Sequence, residues 1–231
     1  MAGARPHPFW SPPEVEAAIP SAIRQLHARR VIAYPTETLY GFGGAADQES
    51  VQALIELKGR PKGKPFLLLI AGSAMLDRLG LHLTPSASSL AARHWPGALT
   101  LVLPGGERRV PAELRGPEGG VAVRWTPHRA VARLIEAYGD PITSTSANRP
   151  GTPPALAAQE IMKQWPDAVN SGALVVLDGG TLSLSPPSTI VDCTTDRPRL
   201  IRPGAIGVET LRESVPALEA AYPPGQQGAG Q

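Results

Sequence analysis

Tyr34-Pro35-Thr36-Glu37-Thr38-Leu39-Tyr40-Gly41, then Lys58-Gly59-Arg60-Pro61-Lys62-Gly63-Lys64-Pro65, then Phe66-Leu67-Leu68-Leu69-Ile70: within this stretch a strand, a bend, a helix and a second strand follow one another. Residues 31–34 read as a short buried strand. Pro35 lacks an N–H for a hydrogen-bonded ladder and restricts Tyr34 to an extended conformation, so the ladder should stop there and residues 36–41 should lie at the strand's end. Asp47 or Ser50 can cap the next helix, on which Val51, Leu54 and Ile55 form an apolar stripe. Lys58 follows Val51 by seven residues, falls on nearly the same face and is predicted to point inward. The apolar run 66–70, bounded by Pro65 and Gly72, fits a strand covered on both faces.

Outward from this stretch the same alternation continues. Residues 1–13 are proline-rich and read as irregular chain, with a helix starting near Ser21 and carrying Ile23 and Leu26. Helices are predicted at 85–94, 127–138 and 155–164, with Thr84, Thr126 and Thr152 at cap positions. Strands are predicted at 99–103, 121–125, 141–144, 174–178, 189–193 and 200–202. Strands and helices interleaved in this way define an α/β (α+β) chain. One catalytic domain is expected over 14–207, followed by a short helix and a disordered tail over 208–231.

Composition narrows the function classes. With 231 residues, 42% hydrophobic and 18% charged, the chain can bury one sizeable core. No apolar run approaches the roughly 18 residues of a membrane span, and the N-terminus does not read as a secretory signal, so a cytoplasmic protein without a membrane partner is expected. The single Cys193 excludes an internal disulfide framework and a multi-cysteine zinc site. The five histidines lack metal-ligand spacing, so no metal ligand is assigned among the side chains. A net charge of +2 does not demand a polyanion-binding surface.

Gly59 and Gly63-Lys64 suggest a Walker loop, but three residues rather than four separate the glycines and Pro65 stands at the Ser/Thr position. A Ser nucleophile elbow is absent as well. What remains is a set of hydroxyls and cations at strand ends. Lys58, Arg60, Lys62 and Lys64 place four cations within seven residues; they read either as a solvated turn or as an anion site, and the inward register of Lys58 favours the site. Ser144-Thr145-Ser146-Ala147-Asn148 reads either as a capped turn or as hydroxyls and N–H groups offered to a phosphate or carboxylate. Ser188 and Thr189, paired with Arg202 before Pro203-Gly204, form a third cluster.

Seven motifs in order carry a resemblance: Pro35-Thr36-Glu37-Thr38-Leu39-Tyr40-Gly41, Lys58-Gly59-Arg60-Pro61, Trp95-Pro96-Gly97 with Thr100, Val121-Ala122-Val123-Arg124, Ser146-Ala147-Asn148, Pro187-Ser188-Thr189-Ile190 and Arg202-Pro203-Gly204. Together they closely resemble the YrdC/Sua5 family, the L-threonylcarbamoyladenylate synthases, over residues 14–207. The resemblance implies a twisted mixed sheet of the YrdC type, flanked by helices, with a large concave basic cavity. It implies a nucleotidyltransferase that makes threonylcarbamoyl-adenylate and pyrophosphate from L-threonine, bicarbonate and ATP, with Mg²⁺ accompanying ATP. The product serves N6-threonylcarbamoyladenosine modification of tRNA through a threonylcarbamoyl transferase complex. A direct tRNA contact stays open.

By matching motif, Lys58 and Arg60 would be catalytic, with Arg60, Lys64, Ser146, Asn148 and Arg202 at ATP. Thr36, Arg124, Ser144 and Ser188 would hold threonine, Arg124 meeting its carboxylate through the guanidinium fork. Thr38, Tyr40 and Thr189 are further candidates; for Thr38 and Tyr40 the other reading is that they order the bend. Three positions depart from the family pattern: Lys64 where many relatives have Asn, Leu69 where many have a threonine-contacting His, and Pro150 where Ser or Thr is common. The chain matches the short, single-domain form. The competing readings are a YrdC-fold protein that binds RNA or tRNA and a divergent nucleotide-binding homologue without threonine activity.

Overall fold

The computed structural model describes residues 5–59 and 66–220. Arg60 and Lys64, expected at the nucleotide, lie outside the described residues, as do Lys62 and the tail 221–231. The first half contains β1 (His7–Pro8), α1 (Pro12–His27), β2 (Val31–Pro35), β3 (Tyr40–Gly43), α2 (Gln48–Lys58), β4 (Leu67–Ile70), α3 (Ala74–Leu79) and α4 (Pro85–His94). The second contains β5 (Leu99–Leu103), β6 (Val121–Trp125), α5 (Arg129–Tyr138), β7 (Ile142–Ser146), α6 (Ala158–Gln164), α7 (Pro166–Asn170), β8 (Leu174–Asp178), β9 (Thr189–Asp192), β10 (Arg199–Arg202) and α8 (Val208–Ser214).

The strands join in the order β1-β8-β2-β3-β7-β4-β6-β5-β9-β10. The sheet is mixed, as expected: β2 runs parallel to β8 and antiparallel to β3, and β4 runs parallel to β6 and antiparallel to β7. β2 is buried along its whole length, and so is the inner part of β4, which is why these segments read as continuous apolar runs rather than as an alternation. Around them Leu26, Phe42, Leu54, Leu90, Leu134 and Leu177, all buried, belong to one contiguous core. No helix among the described residues is long and apolar enough to cross a membrane.

The predicted strands at 99–103, 121–125 and 174–178 coincide with β5, β6 and β8. Four expectations need correction. Residues before 14 are not irregular throughout, because β1 pairs with β8 and α1 starts at Pro12 rather than near Ser21. Prolines in a first helical turn lose no bond, since those N–H groups have no partner in the helix. The Glu14 carboxylate accepts from the N–H and Oγ of Ser11, each at 2.8 Å, and fixes the start.

Pro35 does not end its ladder either: it lies in register with Tyr40 across the β2–β3 hairpin, and Thr36 N–H donates to the Leu39 carbonyl at 3.0 Å to close the turn. A proline loses only its donor and keeps its carbonyl. Helix α5 is capped by His128 Nδ1, which accepts from Val131 N–H, and not by Thr126. Helix α6 starts three residues late. Ala155 donates to the Ala147 carbonyl at 2.9 Å and accepts from Tyr40 N–H at 3.1 Å, and these long-range bonds take the place of a helical turn.

Candidate functional site

Arg124 stands on β6 in the same register row as Leu69 of β4 and Ile142 of β7, one pleat from the pair Leu67 and Ser144. A period of two therefore puts the Arg124 and Ser144 side chains on one face of the sheet. Arg124 is only 5% exposed. Its Nε donates to the Gly97 carbonyl at 3.1 Å, and its Nη2 forms an ion pair with the Glu37 carboxylate. Burial, and after it the like charge of Arg202, push Arg124 down to about 10, still charged at neutral pH.

Gly97 explains the Trp-Pro-Gly motif. A side chain there would put Cβ 2.2 Å from the His94 carbonyl oxygen, and only without one can this loop bring its own carbonyl to Arg124.

The neighbouring elements carry hydroxyls. Ser188 Oγ lies 2.9 Å from Thr100 Oγ1, both buried. Arg202 Nη2 donates to the Ser188 carbonyl at 2.7 Å and to its Oγ at 3.2 Å. The Tyr34 phenol donates to the Thr143 carbonyl at 3.1 Å, and burial is the main reason its pKa is raised. Thr36 Oγ1 donates to the Leu39 carbonyl at 2.7 Å, accepts from the Thr38 and Leu39 N–H groups at 3.2 Å, and lies 3.2 Å from Thr38 Oγ1. Thr36 and Thr38 thus shape the bend that carries Glu37 to Arg124.

A second corner forms where α2 ends against the loop after β7. Gly59 caps α2 in the left-handed region, φ 61°. Lys58, in the last turn, is buried, so the inward register predicted for it holds. Its Nζ donates to the Ser146 carbonyl and, at 3.1 Å, to Asn148 Oδ1. Asn148 Oδ1 also accepts from Ser146 Oγ at 2.6 Å, while Nδ2 donates to the Thr152 carbonyl at 2.6 Å. Asn148 is therefore the turn-shaping residue, and Lys58 and Ser146 are fixed through it. A cleft of about 560 Å³ opens beside this loop, lined by Arg149, Thr152, Pro153, Pro154, Leu156, Glu160 and Gln164. Among the described residues, none of those expected at the site lines it.

Two further candidates, Tyr40 and Thr189, make contacts that tie the fold together. Tyr40 is fully buried, its hydroxyl donating to the Gly180 carbonyl at 2.8 Å and accepting from Gly179 N–H at 2.9 Å. Burial is the first cause pushing it up to about 12. Thr189 Oγ1 donates to the Ile206 carbonyl at 2.8 Å and accepts from Ile206 N–H at 3.0 Å. This bond anchors the turn after Arg202. Gly204 lies so close to 187–189 that a Cβ would meet the Pro187 oxygen at 2.3 Å, which accounts for the glycine in Arg202-Pro203-Gly204. Sequence reasoning assigned no role to Glu37 or Gly97; their places inside the quoted motifs were the available signal.

The mixed α/β fold thus buries an arginine near Glu37 and the Gly97 loop at one corner and a lysine against a Ser-Ala-Asn loop at the other. The chain belongs to the Sua5/YciO/YrdC family, whose family model, described as Telomere recombination, matches residues 24–204. It is 36% identical over 187 residues to the threonylcarbamoyl-AMP synthase of Pyrococcus abyssi, covering 80% of this chain and 54% of that protein. It is 38% identical over 184 residues to the threonylcarbamoyl-AMP synthase of Thiobacillus denitrificans, covering 79% of this chain and 94% of that protein. The crystal structure of P. abyssi Sua5 complexed with L-threonine superposes with a TM-score of 0.81 at 33% identity, over 89% of this chain and 59% of that one. The chain thus spans a little over half of the Pyrococcus protein and nearly all of the Thiobacillus one.

Proposed function

We propose that this protein is an L-threonylcarbamoyladenylate synthase, a nucleotidyltransferase that joins L-threonine, bicarbonate and ATP. The observation that carries the reading is the buried Arg124, aimed by Gly97, paired with Glu37 of the bend that Thr36 ties, on the same sheet face as Ser144 and beside the Arg202 that holds Ser188, in a family whose relatives bear that name. A guanidinium suits a carboxylate because its fork matches two oxygens. The P. abyssi Sua5 structure with L-threonine supports threonine as that carboxylate's owner.

In the proposed reaction the threonine amine and bicarbonate combine to a carbamate with loss of water. A carbamate oxygen then attacks the α-phosphorus of ATP, and pyrophosphate leaves from the same phosphorus. All reactants except threonine are net anions, so positioning and charge stabilisation supply the catalysis without a protein nucleophile. Lys58 and Arg60 would stabilise charge developing on the phosphates, with Arg202, Lys64 and Ser146 at the nucleotide and Asn148 holding Ser146 in place. Mg²⁺ would enter with ATP on the triphosphate oxygens. Leu69, in the row between Arg124 and Ile142, contributes apolar surface beside the threonine. The product would pass to a threonylcarbamoyl transferase complex for tRNA modification in the cytoplasm.

The test is pyrophosphate release from ATP by the purified protein, with threonine and bicarbonate each supplied or omitted. Release that requires both is the expected result. Release indifferent to threonine would leave a nucleotide-binding relative with another substrate; salt-sensitive RNA binding without turnover would leave an RNA-binding one.

A further inference from the structure

Glu37 sits at the crest of the bend between β2 and β3. Its carboxylate meets Arg124 Nη2, and both of its oxygens are shielded from solvent with no other partner among the described residues. Arg124 in turn gives its Nε to Gly97 and has a second cation, Arg202, near enough to repel it. A guanidinium enclosed in this way is strongly unfavourable without an anion. The backbone beneath Glu37 is held: the Thr36 hydroxyl ties the bend, and Ser185 Oγ donates to the Glu37 and Thr38 carbonyls at 3.4 and 3.3 Å. The carboxylate itself stands on a three-torsion side chain whose stem, not its oxygens, is the exposed part, so a change of rotamer can take it away from Arg124 without the bend unfolding.

We propose that Glu37 is the internal counter-ion of the substrate-carboxylate site. It neutralises Arg124 while the site is empty and is displaced when the ligand's carboxylate arrives. Glu37 is thereby a specificity-determining residue. A ligand that brings its own carboxylate replaces the lost charge, whereas an amino alcohol of the same shape leaves Arg124 paired to Glu37. Displacement also lowers the apparent affinity, because only the fraction of molecules with Arg124 released can bind. The identity of the ligand as threonine rests on the proposed function; the exchange of anions at Arg124 rests on the ion pair alone.

The test compares wild type with Glu37→Gln, which keeps the shape and removes the competing charge. Melting temperatures are followed in sodium acetate and in sodium chloride of equal ionic strength, and L-threonine binding is measured by calorimetry without ATP. Glu37→Gln should melt lower than wild type in chloride and regain the difference in acetate, while wild type responds equally to both salts. Threonine should bind the variant about tenfold more tightly, and 1-aminopropan-2-ol, which lacks the carboxylate, should gain nothing. If the variant binds threonine equally or more weakly and ignores acetate, Glu37 is a structural partner or a contact for the ammonium, and the proposal falls. If neither protein binds threonine but acetate still rescues the variant, the counter-ion role stands and the threonine reading fails. Should Glu37→Gln not fold, Glu37→Asp, with its shortened reach, carries the same comparison, tighter binding supporting the proposal and unchanged binding overturning it.

Discussion

The two corners hold their cations differently. The contacts of Lys58 include a carbonyl and an amide oxygen, both neutral, which fix its position. Arg124 meets a full carboxylate, which cancels its charge. Burial is similar, 5% exposure for each. The difference teaches that position at one corner is fixed through a loop's neutral oxygens and at the other through a charge pair, and on the proposed function the first would meet phosphates and the second would exchange one anion for another.

The largest effect should come from Arg124→Ala. Losing the fork and leaving Glu37 without its partner should cut threonine-dependent kcat/KM by a factor of about a hundred or more, while ATP affinity stays within a factor of a few. Initial rates over a threonine and ATP grid check this; an equal loss of nucleotide binding would dissolve the two-corner division. Lys58→Met reverses the test. It should raise the ATP requirement by about tenfold to a hundredfold and leave threonine binding nearly unchanged. A variant that lost both would mean Lys58 supports the whole site through Asn148 and Ser146.

Legibility differed between the corners for a physical reason. Lys58 could be placed from periodicity alone, because seven residues of helix carry a side chain back to the face of Val51. The strands at 99–103, 121–125 and 174–178 were equally plain, since apolar runs of that length have few alternatives. Arg124, Gly97, Glu37 and Ser188 come together only through the sheet's strand order, which brings β6 beside β4 and β5 beside β9. Single-sequence spacing contains none of that. The helix prolines misled for a related reason: Pro12 and Pro13 break chains in general but begin them at a first turn.

Tyr40→Phe sharpens the comparison from between the corners. Tyr40 starts β3, where Gly41 pairs with Ser146, and its phenol ties that strand to 179–180. The variant should lose about 1–2 kcal/mol of stability, because a buried N–H and a carbonyl are left unpaired. Its threonine and ATP requirements should move together and by less than in either cation variant. A selective threonine defect in denaturation-corrected assays would assign Tyr40 to the threonine site.

The smallest effect belongs to a residue outside both corners. Cys193 is buried just past β9, and burial, followed by Asp192, pushes its thiol from 9.0 up to about 12. The folded state therefore keeps a proton that the unfolded chain releases near pH 9. Stability from this group is fully present below pH 9 and is lost as pH rises from there toward 12. Between pH 8 and pH 10 the wild type should lose about 1 kcal/mol that Cys193→Ala does not lose, as read by urea denaturation at the two pH values. Because Cys193 touches neither cation, the substrate requirements of Cys193→Ala at neutral pH should match wild type. If its threonine requirement rises instead, β9 transmits packing changes to Ser188, and the Arg124 corner extends further into the core than its hydrogen bonds indicate.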